Sequence, residues 1–218
     1  LWGAMRYASG LGQTLWLRAQ DPWLARGTSV ASGPYAERLG LEGMPAQAET
    51  VALHTIFELQ RATGARIHLA RLSSAAGIDM LRKARREGLP VTADVSVNSL
   101  LLTDVDIGFF DTNHHLTPPL RGQRDRDAIQ AALADGVIDA LCSDHTPVDA
   151  RGKAEPFPAT TPGATGLELL LSLALKWARD SRRPIGDALA RVTSGPAAVL
   201  AAVAPQLGPC GHLGVDAP

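Results

Sequence analysis

An excess of charge of either sign is missing from this 218-residue sequence: 21 Lys and Arg stand against 22 Asp and Glu, a formal net charge of −1. Nucleic-acid binding, which needs a basic surface to displace counterions, is therefore not expected. Long apolar runs are also lacking. The longest, within residues 167–175, is broken by Glu168 and Ser172, so no segment is expected to span a bilayer. Two cysteines in a chain of this length make no disulfide framework, and no signal peptide opens the sequence, which together point to a reducing cytoplasm. P-loops, dinucleotide glycine motifs, HExxH, CxxC and His-x-His are absent, so the sequence carries none of the common phosphate or metal signatures. What remains is ordinary globular composition, 45% hydrophobic and 20% charged, enough for one domain with a sizeable core. The first residue is Leu, so the sequence is expected to be a piece of a longer one.

A helix, a glycine and a short apolar strand recur. Ala48, Val51, Ala52, Ile56 and Leu59 have helical spacing, Gly64 closes that helix, and a strand is predicted over 66–72. Ile78, Leu81 and Ala84 mark the next helical face, Gly88 ends it, and a strand is predicted over 89–95. Ile129, Ala132 and Leu133 lead to Gly136 and a strand over 137–143; a further strand, Thr14–Leu17, follows a helix over 1–9 and a turn at 10–12. This alternation predicts parallel βαβ units, in an open doubly wound sheet or in part of a (β/α)8 barrel. Two long connections, 98–121 and 146–164, follow the C-terminal ends of strands, where α/β folds place ligands. A helix with Leu167, Leu170, Leu171, Ala174 and Trp177 on one face comes next, then two shorter helices over Ile185–Val192 and 196–203.

Ser143-Asp144-His145, at the end of an apolar strand, is the strongest polar signal. A carboxylate there is costly to leave unpaired, so it usually meets a cation, a metal or a substrate. Arg18 and Arg71 end two other strands and Asp94 holds a similar place in a third, so four strands deliver Arg, Arg, Asp and Asp to one end of the sheet. Guanidinium groups do not coordinate metals, and the set suits a buried ion network or an anion site; polar residues merely satisfied at strand ends are the plain alternative. His114-His115 is the other candidate metal pair. Adjacent residues of an extended chain point opposite ways, so a solvent-exposed loop pair is expected. His54 is expected on a helix surface, His68 in strand packing, Cys142 as a small core hydrophobe rather than a nucleophile, and Ser73-Ser74 as a helix N-cap.

Together these motifs resemble one family. Leu69-Ala70-Arg71-Leu72-Ser73-Ser74-Ala75-Ala76-Gly77 is similar to a strand-loop of bacterial dihydroorotases, and Asp111-Thr112-Asn113 with Pro118-Pro119-Leu120-Arg121 to their substrate loop. Residues 137–147 resemble their last barrel strand with its catalytic aspartate, residues 162–168 the glycine loop that follows, and the similarity runs from Arg6 to the tail at 211–217. The resemblance implies the second half, strands five to eight, of a metal-dependent amidohydrolase (β/α)8 TIM barrel. Residues 1–204 would be the partial barrel and 205–218 the start of a return to a small β domain. Carried over position by position, it implies the catalytic aspartate at Asp144 and substrate-contacting positions at Asn113, Thr117, His145, Gly163 and Gly166.

The departures from the family pattern fall on the metal ligands. Arg18 and Arg71 stand where strands five and six carry metal-binding histidines, and Asn98-Ser99 stands where a histidine pair follows strand seven. Thr117 replaces a substrate-loop asparagine and Val148 a substrate-contacting histidine. The resemblance therefore implies no metal in this chain, with zinc only if the protein is an active enzyme after all, and Arg18 and Arg71 are expected to pair with Asp144 and Asp94. It further implies a catalytically inactive, cytoplasmic dihydroorotase-like protein of de novo pyrimidine biosynthesis. Such a chain would be a structural partner of the aspartate transcarbamoylase catalytic chain in a homo- or hetero-oligomer. The alternatives are an active dihydroorotase interconverting carbamoyl aspartate and dihydroorotate, and a small-carboxylate-binding module built on the two arginines.

Overall fold

Parallel strands joined by helices follow from the helix–glycine–strand repeat. The structure, a computed structural model, describes residues 1–201. Helix α1 (Trp2–Gly10) leads into β1 (Thr14–Leu17), and two short strands, β2 (Val30–Ala31) and β3 (Gly43–Met44), flank α2 (Pro34–Leu39). Next come α3 (Gln47–Thr63), β4 (Arg66–Leu69), α4 (Ala75–Arg86), β5 (Val91–Ser96), α5 (Val97–Leu101) and α6 (Gln123–Ala134). Strand β6 (Ala140–Cys142), α7 (Leu170–Asp180), α8 (Ile185–Val192) and α9 (Ser194–Ala201) complete the described chain.

Strands β1, β4, β5 and β6 form one parallel sheet in that order, with Leu17 opposite Leu69, His68 opposite Thr92 and Asp94 opposite Ala140. Each strand is laid beside its predecessor, always on the same side. A doubly wound sheet carries helices on both faces and a barrel on one. Here the helices pack in one continuous row, α1 on α3, α3 on α4, α4 on α6, and with the sequential strand order this fits a barrel segment. Strand alternation then sorts the side chains. Leu15, Leu17, Ile67, Leu69, Ala93, Val95 and Leu141 face the helices and join Leu53, Phe57, Leu81, Leu133 and Trp177 in the main core. Each fully buried large side chain there stabilises the fold by about 1.5–3 kcal/mol. Trp16, His68, Thr92, Asp94 and Ser96 alternate onto the opposite face, which puts polar chemistry on the side away from the helices.

Several predicted bounds need correction. The strands end earlier than 66–72 and 137–143, at Leu69 and Cys142, because the residues beyond turn sharply into loops. In α3 the buried face is Ala48, Leu53, Ile56 and Phe57 with the polar Glu49 and Gln60, while Val51 is exposed. Gln60 Nε2 donates to the carbonyls of Ala65 and Pro90, 3.0 Å to each; its polar needs are met inside, so apolarity alone misplaces the face. Helix α7 begins only at Leu170 and buries Ala174, Trp177 and Ala178 against α8 and β6, leaving Leu167 and Leu171 exposed. Residues 98–121 contain α5 and two 3-10 turns rather than one uninterrupted loop. Residues 30–44 carry no strong periodicity, yet Val30 and Ala36 pack with Ile107, Leu116, Leu120 and Phe157 into a second apolar cluster that ties the loops together. The helix expected to 203, the domain boundary at 204–205 and the tail motif at 211–217 lie outside the described residues in whole or part. No described helix is long and apolar enough to cross a membrane.

Candidate functional site

Two strand-end residues adopt backbone that L side chains rarely take: Arg71 (φ 58°), two residues past β4, and Asp144 (φ 49°), two residues past β6. Each costs about 1–3 kcal/mol, and such residues cluster at functional constellations. The two side chains meet: Arg71 Nη1 donates to Asp144 Oδ1 in an ion pair and also lies 3.4 Å from the carbonyl of Thr117. The Asp144 side chain is only 9% exposed, so the guanidinium is what makes a buried carboxylate tolerable there.

Asp94 holds the arrangement from beneath. Its Oδ1 accepts the Arg71 backbone N–H at 2.9 Å and its Oδ2 accepts from His68 Nε2 at 2.9 Å. With Nε2 donating to the carboxylate, His68 Nδ1 meets the Thr92 hydroxyl at 2.8 Å, and Trp16 covers the imidazole with ring centroids 4.1 Å apart. His68 is thus more than a packing residue; it orients Asp94. Cys142 lies against the carboxylates of Asp94 and Asp144, and burial followed by those negative charges pushes its thiol well up. It is therefore not simply the core hydrophobe expected, although the thiolate remains disfavoured.

Arg18 departs from its expected partner. Its Nη2 donates to Gln20 Oε1, and among the described residues no carboxylate lies within ion-pair reach of it. Asp144 Oδ1 already holds Arg71, and both oxygens of Asp94 accept hydrogen bonds, from the Arg71 N–H and from His68. Burial, then the neighbouring Arg71 charge, lowers the pKa of Arg18 against the pull of Asp144.

The loop after β4 is fixed by a residue the sequence reading passed over. Glu49, buried in α3, accepts from the backbone N–H groups of Ser73 (2.8 Å) and Ser74 (3.0 Å) and from both hydroxyls (2.7 and 2.6 Å). Arg121 Nε donates to the Ser73 hydroxyl at 2.9 Å, and Ser74 caps α4 by accepting from the Gly77 N–H. A glutamate buried on the largely apolar face of α3 must find donors, and here they come from a loop 24 residues away.

Of the other predicted positions, Thr117 and Gly163 line a cleft of about 320 Å³ with Arg18, Arg71, Asp144 and Thr146. His145 and Gly166 do not line it. His145 Nδ1 accepts from the N–H groups of Gly166 and Leu167, each at 3.2 Å, and a Cβ on Gly166 would strike the carbonyl of Ser143. Asn113 is not brought in; it is exposed, its Nδ2 bonded to Asp111 at 3.0 Å. The pair His114-His115 is not a solvent-exposed one. His115 is buried, stacked on Phe157 at 5.0 Å with Nδ1 2.8 Å from the Thr160 hydroxyl, because the 146–164 loop folds over it.

These residues do not fit a divalent metal. Among the described residues no three His, Cys, Asp or Glu side chains converge, and the Asp144 carboxylate is engaged by Arg71. At an effective dielectric of 20, a unit charge 4 Å from a divalent ion contributes about 8 kcal/mol, here repulsive for each guanidinium in that range. What the arrangement does offer is a guanidinium pair facing one carboxylate.

No protein-family model matches the chain. It is 42% identical over 197 residues to a dihydroorotase-like protein of Pseudomonas aeruginosa, covering 90% of this chain and 47% of that protein. A dihydroorotase-like protein of Pseudomonas putida is 42% identical over 204 residues, 94% of this chain and 48% of that one. A dihydroorotase of Syntrophobacter fumaroxidans is 37% identical over 197 residues, 90% and 45%. Among solved structures, a D-hydantoinase from Thermus sp. matches with a TM-score of 0.83 at 21% identity, over 99% of this chain and 48% of that one. Dihydroorotase from Saccharomyces cerevisiae in complex with 5-fluoroorotic acid matches with a TM-score of 0.71 at 17% identity, over 88% and 51%. At such identities the structural matches show the fold alone. The chain spans about half the length of the curated relatives it matches. Over about nine-tenths of its length it is a homologue of dihydroorotases and dihydroorotase-like proteins, and it shares its fold with about half of each of the hydantoinase and dihydroorotase structures it matches.

Proposed function

We propose that this chain belongs to a catalytically inactive, cytoplasmic dihydroorotase-like protein of pyrimidine biosynthesis that serves as a structural partner of aspartate transcarbamoylase. The observation that carries the reading is the Arg71–Asp144 ion pair at the strand ends, with Arg18 beside it. A hydrolase of this kind needs a metal-activated water, and water reaches a pKa near 7 only on a metal held by enough neutral or anionic ligands. The resemblance puts Arg18 and Arg71 at the metal-ligand positions, and Asp144, which would handle the proton, is paired with Arg71. The similarity to proteins named dihydroorotase-like supports the same reading. In this reading the core and the Glu49 and Asp94 networks hold the strands and loops together with no metal among their contacts. In this reading Asp144 keeps the catalytic position, Asn113, Thr117, His145, Gly163 and Gly166 keep vestigial substrate positions, and residues 1–204 form the partial barrel.

The test is co-purification of the full-length protein with aspartate transcarbamoylase from the same organism. A stable complex in which carbamoyl transfer appears only on mixing supports the partnership. A transcarbamoylase fully assembled and active alone, with no complex formed, overturns it.

A further inference from the structure

Arg18 is the charge that the strand-end network leaves over. Its guanidinium, partly buried just past β1, bonds Gln20, and no carboxylate among the described residues lies within ion-pair reach. Asp94 and Glu49 each accept hydrogen bonds on both oxygens, from His68 and the Arg71 N–H and from Ser73 and Ser74, and Asp144 accepts from Arg71 on Oδ1. The cleft therefore sets two guanidinium groups against a single carboxylate, inside about 320 Å³ walled by Leu116, Thr117, Thr146 and Gly163. Burial and the Arg71 charge both work against the charged form of Arg18, and an anion seated between the two groups relieves that opposition. The planar N–H fork of a guanidinium matches an oxyanion in geometry as well as charge, and a cleft near 300 Å³ is at the small end of ligand pockets.

The geometry points to a small-oxyanion site in this cleft, with Arg18 as its principal donor and Arg71 as its second, taking the carboxylate or phosphate group of a small ligand. This rests on the reading above that no divalent ion sits at Asp144, since such an ion would claim the same carboxylate and space. No bond is made or broken; the site binds.

The full-length protein, its metal content measured on the same sample, is titrated by calorimetry with inorganic phosphate and separately with malonate, at constant ionic strength with chloride as the control. Saturable binding of either probe is expected, phosphate alone or malonate alone identifying which oxyanion the cleft takes. Arg18→Gln should weaken it about ten-fold or more, and Arg18→Lys, which keeps the charge and loses the fork, by a smaller factor. If Arg18→Gln does not fold, the Arg18→Lys comparison carries the test. Metal-free protein that binds neither probe overturns the oxyanion site and leaves the non-catalytic reading standing. Binding that survives Arg18→Gln unchanged places the anion elsewhere and also overturns it, whereas stoichiometric metal overturns both readings together.

Discussion

Arg71 and Asp144 depend on each other more than on anything else in the cleft. Removing one partner of a buried pair strands the other charge, and with the Arg71 side chain 27% exposed and that of Asp144 9% exposed the cost of Arg71→Met should be about 2–3 kcal/mol. The double variant Arg71→Met with Asp144→Leu should recover most of that in urea unfolding, because no charge is left unpaired. A single variant within about 0.5 kcal/mol of the parent would mean the pair is not formed. His115 makes a separate prediction about pH. Burial, then the nearby Lys153 charge, lowers the pKa of its imidazole, so the unfolded chain takes up a proton before the folded one does. The stability this group contributes is fully present above about pH 6.5 and is lost as pH falls through the lowered folded value. The parent should lose stability more steeply than His115→Gln between about pH 7 and pH 5; parallel pH profiles for the two would refute the assignment.

Helix α3 and the loop leading into α4 act as one unit through Glu49. Glu49→Gln turns an acceptor of four bonds into a group that presents its own N–H to donors, costing about 1–3 kcal/mol. Gly77→Ala drives a Cβ onto Glu49 Oε1 and should disturb the same unit, so the two variants should be markedly non-additive. Faster hydrogen exchange across 73–77 in either variant would locate the damage, and unchanged exchange there would argue against a shared unit. At this scale much was legible in the sequence. The alternation of strands and helices, the Ser74 cap and the strand-end places of Arg18, Arg71, Asp94 and Asp144 follow from periodicity and position. Glu49, His68 and the buried His115 were not legible in the same way, since each is satisfied by a partner 24 to 45 residues distant. Arg18 likewise sits at the strand end its position predicts, but its guanidinium turns to Gln20, two residues away, rather than to a carboxylate.

Across the whole molecule the sheet order β1-β4-β5-β6 leaves β1 and β6 each with a strand neighbour on one side only among the described residues. Leu167, Leu171, Ile185 and Trp16 add exposed apolar surface. Residues 1–218 produced alone should therefore associate in light scattering, because open strand edges recruit further strands; a stable monomer at high concentration would contradict this. The barrel class is readable from the sequence only through the family resemblance, because helix–strand alternation fits both windings and only the row of helices on one face of the sheet separates them. In the proposed reading the Arg71–Asp144 pair occupies strand ends that would otherwise hold a metal. The most direct test of that reading is the zinc content of the full-length protein after metal loading and desalting, measured by mass spectrometry beside a dihydroorotate hydrolysis assay. The account predicts far less than one zinc per chain and no turnover, while stoichiometric zinc accompanied by turnover would contradict it.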